Sequence, residues 1–313
     1  MRHGLLLYNP AAGRLSVRPY LGRVLRMLHA AGWKMSVDVT LNGRHATQAA
    51  RQAAAENYDA VFAVGGDGTM GQVASGLIGT ETALAVLPAG TTNVLARELG
   101  MQAFEWHRWW ALKDNARLLA NASVQSMDVG LCNGQPFLLW AGIGLDALAI
   151  HKLEPRPRFV KYISVPHYFA TTVWSAAFWN GMDLQVTADG NRVDGHFLLA
   201  ITTNIRHYLG GMTVISPNAF LDDGLMDLWL LSGNNLADAF RHFFDMLAGR
   251  HLTSEQARCI TFQSARIESD LPFSLQMDGE PMLGGAQAEI TSRPRALKIL
   301  MPSQALNLLQ SPI

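Results

Sequence analysis

Residues 64–73 read VGGDGTMGQV and follow an apolar run, Tyr58 to Val64, with the character of a buried strand. Glycines there free the backbone for a sharp turn and let its N–H groups approach an anion closely. A bare turn would not require Asp67. A carboxylate beside a phosphate cradle repels the ligand unless a divalent cation sits between them, so the pattern points to a nucleotide with Mg²⁺. Taken alone, the run also reads as an ordinary glycine turn entering a helix.

A second loop, Leu87 to Arg97 (LPAGTTNVLAR), follows the apolar run Ala83 to Val86. Pro88 fixes the turn and Gly90 permits close approach. Thr91, Thr92 and Asn93 offer hydroxyl and amide donors at what reads as a helix N-terminus, where phosphate oxygens are favoured. On its own this loop is equally well a helix cap. A third, Asn9 to Arg14 (NPAAGR), follows the strand Gly4 to Tyr8 and ends in a cation. Three glycine-bearing loops after three apolar strands are hard to assign to chance, and they can line one crevice.

The elements that must position these loops alternate. Helical patterns over Val17–Ala31 and His45–Glu56 separate strands at Gly4–Tyr8, Lys34–Val39 and Tyr58–Val64, the rhythm of a doubly wound parallel sheet. Loops at the carboxyl ends of such strands form the expected ligand crevice. Leu21, Val24, Leu25 and Leu28 recur at helical spacing, and Gly32 is placed to stop that helix. After about Ser123 the texture changes. Asn133-Gly134 and Asp189-Gly190 are hairpin turns, and β-like runs at Met226–Leu231, Cys259–Ile267, Phe273–Met277 and Leu297–Met301 predict an antiparallel β-sandwich, interrupted by a helix near Leu236–Leu247. The expected organisation is an α/β nucleotide-binding domain over 1–123 and a β-sandwich substrate domain over 124–295.

The 313 residues, 49% of them hydrophobic, can fill two cores. Lys plus Arg balance Asp plus Glu at 25 each, so no overall field draws nucleic acid or an anionic membrane, and membrane contact must be local. Cys132 and Cys259 lie far apart, which fits buried thiols in a reducing compartment and argues against a disulfide. The N-terminal apolar stretch is too short for a signal-peptide core, so the chain reads as cytoplasmic. The segment His151 to Gly181 places Lys152, Arg156, Arg158 and Lys161 before an aromatic run, and Pro166 keeps it below the roughly 18 residues of a spanning helix. It reads as a core helix or as a flank of the acyl-chain entrance at the headgroup level. Trp106, Trp109 and Trp110 read first as packing.

Together the NPxxG, GGDGT and PxGTxNxxAR loops, a GxGxDA segment at Gly142–Ala147, a DDGxxD segment at Asp222–Asp227 and DGE at Asp278–Glu280 resemble, in order, the catalytic domain shared by diacylglycerol kinases, sphingosine kinases and soluble bacterial lipid kinases. The resemblance spans nearly the whole chain. It implies ATP-dependent phosphorylation of a lipid hydroxyl in a crevice between the two domains, with a C-terminal tail, about 296–313, returning to the first. Asn9, Thr40, Gly65, Gly66, Asp67, Gly68, Thr69, Met70, Gly71, Thr91 and Asn93 match its nucleotide-contacting positions. Asp223, with the carbonyls of Phe220 and Leu225, matches a structural Mg²⁺ site, although a DG turn entering a strand is common without metal. DGE offers two carboxylates, Asp278 and Glu280, one of which is expected to accept the hydroxyl's proton; which of them, the residues leave open.

Two departures stand out. Gly71-Gln72 replaces a polar residue and a glutamate after GGDGT, and Arg14 stands where lysine is common, which is not a neutral exchange at a phosphate. An NAD kinase, which shares GGDGT, and a catalytically silent lipid-binding regulator are the alternatives. The expected partners are a lipid substrate and, peripherally, a membrane, with a homodimer left open.

Overall fold

The computed structural model describes residues 1–153 and 179–311. Two compact units emerge, one formed by Met1–Asp128, Leu221–Asp223 and Pro294–Ile313, the other by Val129–Phe220 and Gly224–Arg293.

In the first unit, β1 (Arg2–Tyr8), α1 (Arg18–Ala30), β2 (Trp33–Val39), α2 (Gly43–Ala55), β3 (Ala60–Gly65), α3 (Asp67–Leu77), β4 (Ala83–Pro88), α4 (Val94–Glu98) and α5 (Ala111–Ala120) follow the expected rhythm. All pairings are parallel: β1 lies between β2 and β3, with Leu6 opposite both Val37 and Phe62, and β4 flanks β3 with Leu84 opposite Val61. Every residue of β3 and β4 is buried, as continuous apolar runs in a covered sheet should be. Helix α1 buries Leu21, Val24 and Leu28 and ends before Gly32, whose φ of 85° suits only a residue without a Cβ.

The tail belongs to this unit. Ile299 pairs with Leu84, the Gly79 N–H donates to the Ala296 carbonyl at 2.7 Å, and the Leu221 N–H donates to the Leu308 carbonyl at 2.9 Å. Asp222, 5% exposed, secures the end: its carboxylate accepts the Gln310 and Ser311 N–H groups at 2.6 and 3.1 Å and faces the Arg295 guanidinium at 3.5 Å.

The second unit is antiparallel. Its elements are β5 (Ser123–Cys132, which begins in the first unit), β6 (Gln135–Phe137), β7 (Trp140–Gly144), α6 (Leu145–Leu153), β8 (Met182–Ala188), β9 (Asn191–Thr203), β10 (His207–Tyr208), β11 (Thr213–Val214), β12 (Met226–Ser232), α7 (Leu236–Leu247), β13 (Ala257–Phe262), β14 (Ser264–Met277) and β15 (Glu280–Met301, which ends in the first unit). The order β13-β12-β9-β7-β14 forms one path, while β8 pairs with both β9 and β14. The long strands β9 and β14 therefore serve both layers, and a register shift between Glu268 and Phe273 lets β14 bend. Phe137, Val186, Leu228, Leu230, Phe262, Ile267 and Ile290 fill the core between them.

Three hairpins turn on the same dipeptide chemistry. Asn133-Gly134, Asp189-Gly190 and Asp278-Gly279 have φ values of 49° and 77°, 46° and 82°, and 48° and 81°, the paired left-handed conformations of a two-residue turn that matches strand twist. The expected single strand Cys259–Ile267 is instead two. At the break, the Asp189 carboxylate accepts the Gln263 and Ser264 N–H groups, each at 2.9 Å. Conversely, Leu297–Met301 is the end of the 22-residue β15.

Cys132 is buried, and desolvation pushes its thiol up to about 12; Cys259, expected to be buried, is exposed on β13. Among the described residues no helix is long and apolar enough to cross a membrane. Most of the basic-then-aromatic segment, including Arg156, Arg158, Lys161 and Pro166, lies outside the described residues. Trp106, Trp109 and Trp110, expected to pack inside, are 78%, 42% and 43% exposed.

Candidate active site

The three loops of the first unit meet. At the end of β1, the Asn9 N–H donates to the Val64 carbonyl at 3.0 Å, and Asn9 Nδ2 donates to the Thr69 hydroxyl at 3.0 Å, while its Oδ1 accepts the Ala11 N–H at 2.9 Å. The NPAAG turn is thereby fastened to the GGDGT loop. Thr40, 6% exposed at the end of β2, donates its N–H to the Tyr8 carbonyl at 2.9 Å and so sits beside the same strand end.

The second loop closes on the first through glycine. The Ala89 and Gly90 N–H groups donate to the Gly65 carbonyl at 2.7 and 3.1 Å. A Cβ on Gly90 would collide with the Gly66 Cα, so the two backbones touch where only glycine fits. Asn93, held at a left-handed φ of 52°, braces the turn: Oδ1 accepts the Gly90 N–H at 2.8 Å and Nδ2 donates to the Gly90 carbonyl at 2.9 Å.

Asp67 joins the loops electrostatically. Its Oδ2 accepts the Thr92 hydroxyl at 3.0 Å and its Oδ1 the Leu95 N–H at 3.2 Å. Its carboxylate thus caps the first turn of α4, a task Asn93, whose side chain is turned onto Gly90, does not perform. Sequence reasoning gave Asp67 a cation to hold and missed this second reason for an acid, and it gave Thr92 no role beyond a hydroxyl in the loop. Gly68 lies in the first turn of α3 and Thr91 is exposed. Met70 and Gly71 belong to the body of α3: the Met70 side chain is buried and its N–H donates to the Gly66 carbonyl at 3.1 Å. Gln72 does not face the cradle's loops; its amide fills the space beside Gly43 at the start of α2, and its carbonyl accepts the Thr47 hydroxyl at 2.8 Å.

In the second unit the DGE turn joins β14 to β15. Asp278 is held by three amides: Oδ2 accepts the Leu138 N–H at 2.9 Å, and Oδ1 accepts those of Leu139 and Trp140 at 2.8 and 3.2 Å. Glu280 is exposed at the first position of β15. Asn133 and Asp189 also take N–H groups of neighbouring backbone, so such a grip is common to these hairpins. The support behind the third is its own. Gln276, fully buried, accepts the Gly279 N–H at 2.9 Å and donates to the Asp146 carboxylate at 2.6 Å, and a Cβ on Gly142 would occupy the same space as both side chains. The GxGxDA and DGE segments, more than a hundred residues apart, thus form one buried network. No local signal in the sequence marks Gln276 as its centre.

In the Asp222-Asp223-Gly224 turn, Asp222 is committed to the tail and Gly224 has a φ of 79°. Among the described residues no group of three or more His, Cys, Asp or Glu is placed to hold a metal. The set Phe220, Asp223 and Leu225 needs only one such side chain. One carboxylate and two carbonyls make an all-oxygen donor set that suits a hard divalent cation.

A parallel α/β unit whose glycine loops close on one another, followed by an antiparallel sandwich with an anchored acidic turn, has the architecture of a phosphotransferase. Residues 3–132 match the diacylglycerol kinase catalytic domain, and residues 141–301 match the YegS C-terminal NAD kinase beta sandwich-like domain; the chain belongs to this lipid-kinase family. It is 29% identical to a diacylglycerol kinase of Bacillus subtilis (strain 168), covering 97% of this chain and 98% of that one. A probable lipid kinase YegS-like protein of Pseudomonas putida is also 29% identical, with 96% and 95% covered. The crystal structure of a diacylglycerol kinase from Bacillus anthracis str. Sterne superimposes with a TM-score of 0.73 over 97% of this chain and 98% of that one; at 21% identity it speaks for the fold.

Proposed function

We propose that this chain is an ATP-dependent lipid kinase that transfers the γ-phosphoryl group to a hydroxyl of diacylglycerol or a related lipid. The observation that carries the reading is the closure of the NPAAG, GGDGT and PAGTTN loops on one another, with Asp67 tied across them. Family membership agrees with it.

Phosphoryl transfer asks the protein to position the donor, offset developing negative charge and orient a nucleophile. The backbone N–H groups of residues 66–69, at the start of α3, are suited to the phosphate oxygens. Asn9, Thr40, Thr69, Thr91 and Asn93, on the same loops and strand ends, are the further residues assigned to the nucleotide. Asp67 would hold Mg²⁺ directly or through its waters, and Asp223 with the carbonyls of Phe220 and Leu225 would hold a structural ion; the cation would supply positive charge to offset that of the phosphates. Of the two acids in the DGE turn, Asp278 is the better positioned to take the proton. Three amides and the Gln276–Asp146 network fix its aim, whereas Glu280 is exposed and has more torsions to fix. In the step, the lipid O–H proton passes to the Asp278 carboxylate, the lipid oxygen bonds to the γ-phosphorus, and the bond to the ADP oxygen breaks.

The test is labelled ATP with Mg²⁺, incubated in parallel with dispersed diacylglycerol and with NAD. Label should appear in the lipid phase as a phosphomonoester. Label in NADP instead would replace this reading with an NAD kinase, and ATP binding without turnover on any lipid extract would leave a silent regulator. Work on a lipid acceptor places the enzyme at the cytoplasmic membrane surface, as a peripheral protein.

A further inference from the structure

We propose that the tryptophan turn before α5, with the basic face of α1, is a docking surface for an anionic lipid bilayer. Trp106 is 78% exposed, and Trp109 and Trp110 are 42% and 43% exposed. Three large rings so open to water are costly for a soluble surface, and indole is the side chain that best suits the headgroup level of a bilayer, apolar in body with a polar N–H.

The turn is built to present them. Arg108 donates its N–H to the Glu105 carbonyl at 2.9 Å, and Trp110 ends the turn at the N-terminal boundary of α5. Tyr20 of α1 stacks on Trp109 with centroids 6.1 Å apart and meets Phe104 edge-on at 5.2 Å, which ties the turn to α1. The Arg23 guanidinium lies 4.7 Å over the Trp109 ring.

Charge selects the occupant. Although the chain is neutral overall, its first 37 residues carry Arg2, Arg14, Arg18, Arg23, Arg26 and Lys34 and neither Asp nor Glu. Arg18, Arg23 and Arg26 are exposed on α1, and Arg108 is exposed between the tryptophans. The Glu105 carboxylate in the turn already faces His107 at 3.0 Å. Aromatic rings interleaved with cations match a surface that is apolar below and anionic above. The choice of a bilayer rests on the lipid-kinase reading, since such an enzyme must reach an acceptor embedded in a membrane.

The experiment is co-sedimentation of the full chain with vesicles of phosphatidylcholine alone or with about one third phosphatidylglycerol, without ATP. The wild type should bind the anionic vesicles and release at high salt. Trp106→Ala should weaken binding about tenfold, as loss of a buried indole predicts, and Arg23→Glu with Arg108→Glu at least about fivefold. All variants should retain the wild-type melting temperature and turnover on short-chain diacylglycerol in detergent, where no bilayer is needed. Wild-type vesicle affinity in the variants, or no vesicle binding by the wild type, overturns the proposal while leaving the kinase reading intact. A concentration-dependent dimer that Trp106→Ala abolishes would give the surface to a second copy and equally overturn it. Vesicle binding that depends on the patch in a protein that phosphorylates no lipid would keep the surface and remove the kinase.

Discussion

The Thr92 hydroxyl donates to Asp67 Oδ2 at 3.0 Å across two different loops, one entering α3 and the other α4. With the Leu95 N–H on Oδ1, the carboxylate both shapes the cradle and charges it. These tasks separate by substitution. Asp67→Ala should reduce kcat by about 10²- to 10³-fold, the scale expected when the carboxylate that holds a charge-offsetting cation is lost. Thr92→Val removes one hydrogen bond and should raise the KM for ATP several-fold with kcat nearly unchanged. Steady-state kinetics on folded variants checks both, and unaltered turnover in Asp67→Ala would remove Asp67 from the chemistry.

Gly90 tests the cradle by shape alone. Its Cβ would meet the Gly66 Cα and, at 2.8 Å, Asn93 Oδ1, so Gly90→Ala must push the two loops apart. The expected cost is about 1–3 kcal/mol of stability, typical of overpacking, together with loss of nucleotide affinity. Gly134→Ala, where a Cβ meets nothing within 4 Å, is the control for a glycine that serves only its turn. Calorimetric titration with ATP should distinguish the pair.

In the DGE turn, Asp278→Asn keeps the side chain's size but exchanges a carboxylate oxygen for an NH₂ that faces a backbone N–H. Turnover should fall by at least about 10²-fold, the usual contribution of a general base, with Glu280→Gln falling far less. Gln276→Leu should slow turnover without removing either carboxylate, because it unseats the Gly279 N–H and Asp146. If Glu280→Gln proves the more damaging change, the base is Glu280 and Asp278 is a turn residue like Asp189.

Much of this fold could be read along the chain because its signals are local. An Asn-Gly or Asp-Gly pair forces positive φ at two successive residues, so the hairpins were legible, as were strands that end in glycine loops. Contacts between distant segments were not. Nothing near Gln276 announces that Asp146, 130 residues earlier, will hold it. The break between β13 and β14 depends on Asp189, a carboxylate from another hairpin. The tryptophans show the same gap from the other side. Spacing places three rings near one another, but whether another element covers them is decided by the fold, and among the described residues none does so fully.

His242 sets a pH dependence in the sandwich unit. Burial lowers its pKa below the ordinary 6.5, outweighing the hydrogen bond from its ring Nε2 to the Ser232 carbonyl at 2.7 Å. The unfolded chain then binds a proton that the folded chain resists, so the contribution is intact above pH 6.5 and is lost as pH falls from there toward the lowered folded value. His242→Gln should flatten that decline. His196 has the opposite sign: the Asn180 carbonyl and Asp183 raise its pKa, so its contribution is present below 6.5 and fades as pH rises, which leaves His242 to set the acid-side loss. Urea titrations between pH 7 and 5 on both proteins give the comparison, and parallel curves would clear His242 of the effect.

The tail should prove structural to the nucleotide unit. Asp222 is buried and takes the Gln310 and Ser311 N–H groups, while Leu308 and Leu309 are buried beside it. Gln310 and Ser311 are exposed, so water can replace the lost acceptor, and Asp222→Ala should cost about 1–3 kcal/mol in all for the charge-assisted hydrogen bonds it removes. The melting temperature should therefore fall by roughly 5–10 °C for a unit of this size. Truncation after Met301 removes Ala305, Leu308 and Leu309 as well and should cost more. Because Asp222 adjoins Asp223, the same variant separates clamp from metal site. If Asp222 acts only on the tail, added Mg²⁺ should stabilise wild type and Asp222→Ala equally, whereas Asp223→Ala should lose that increment and keep the tail's contribution.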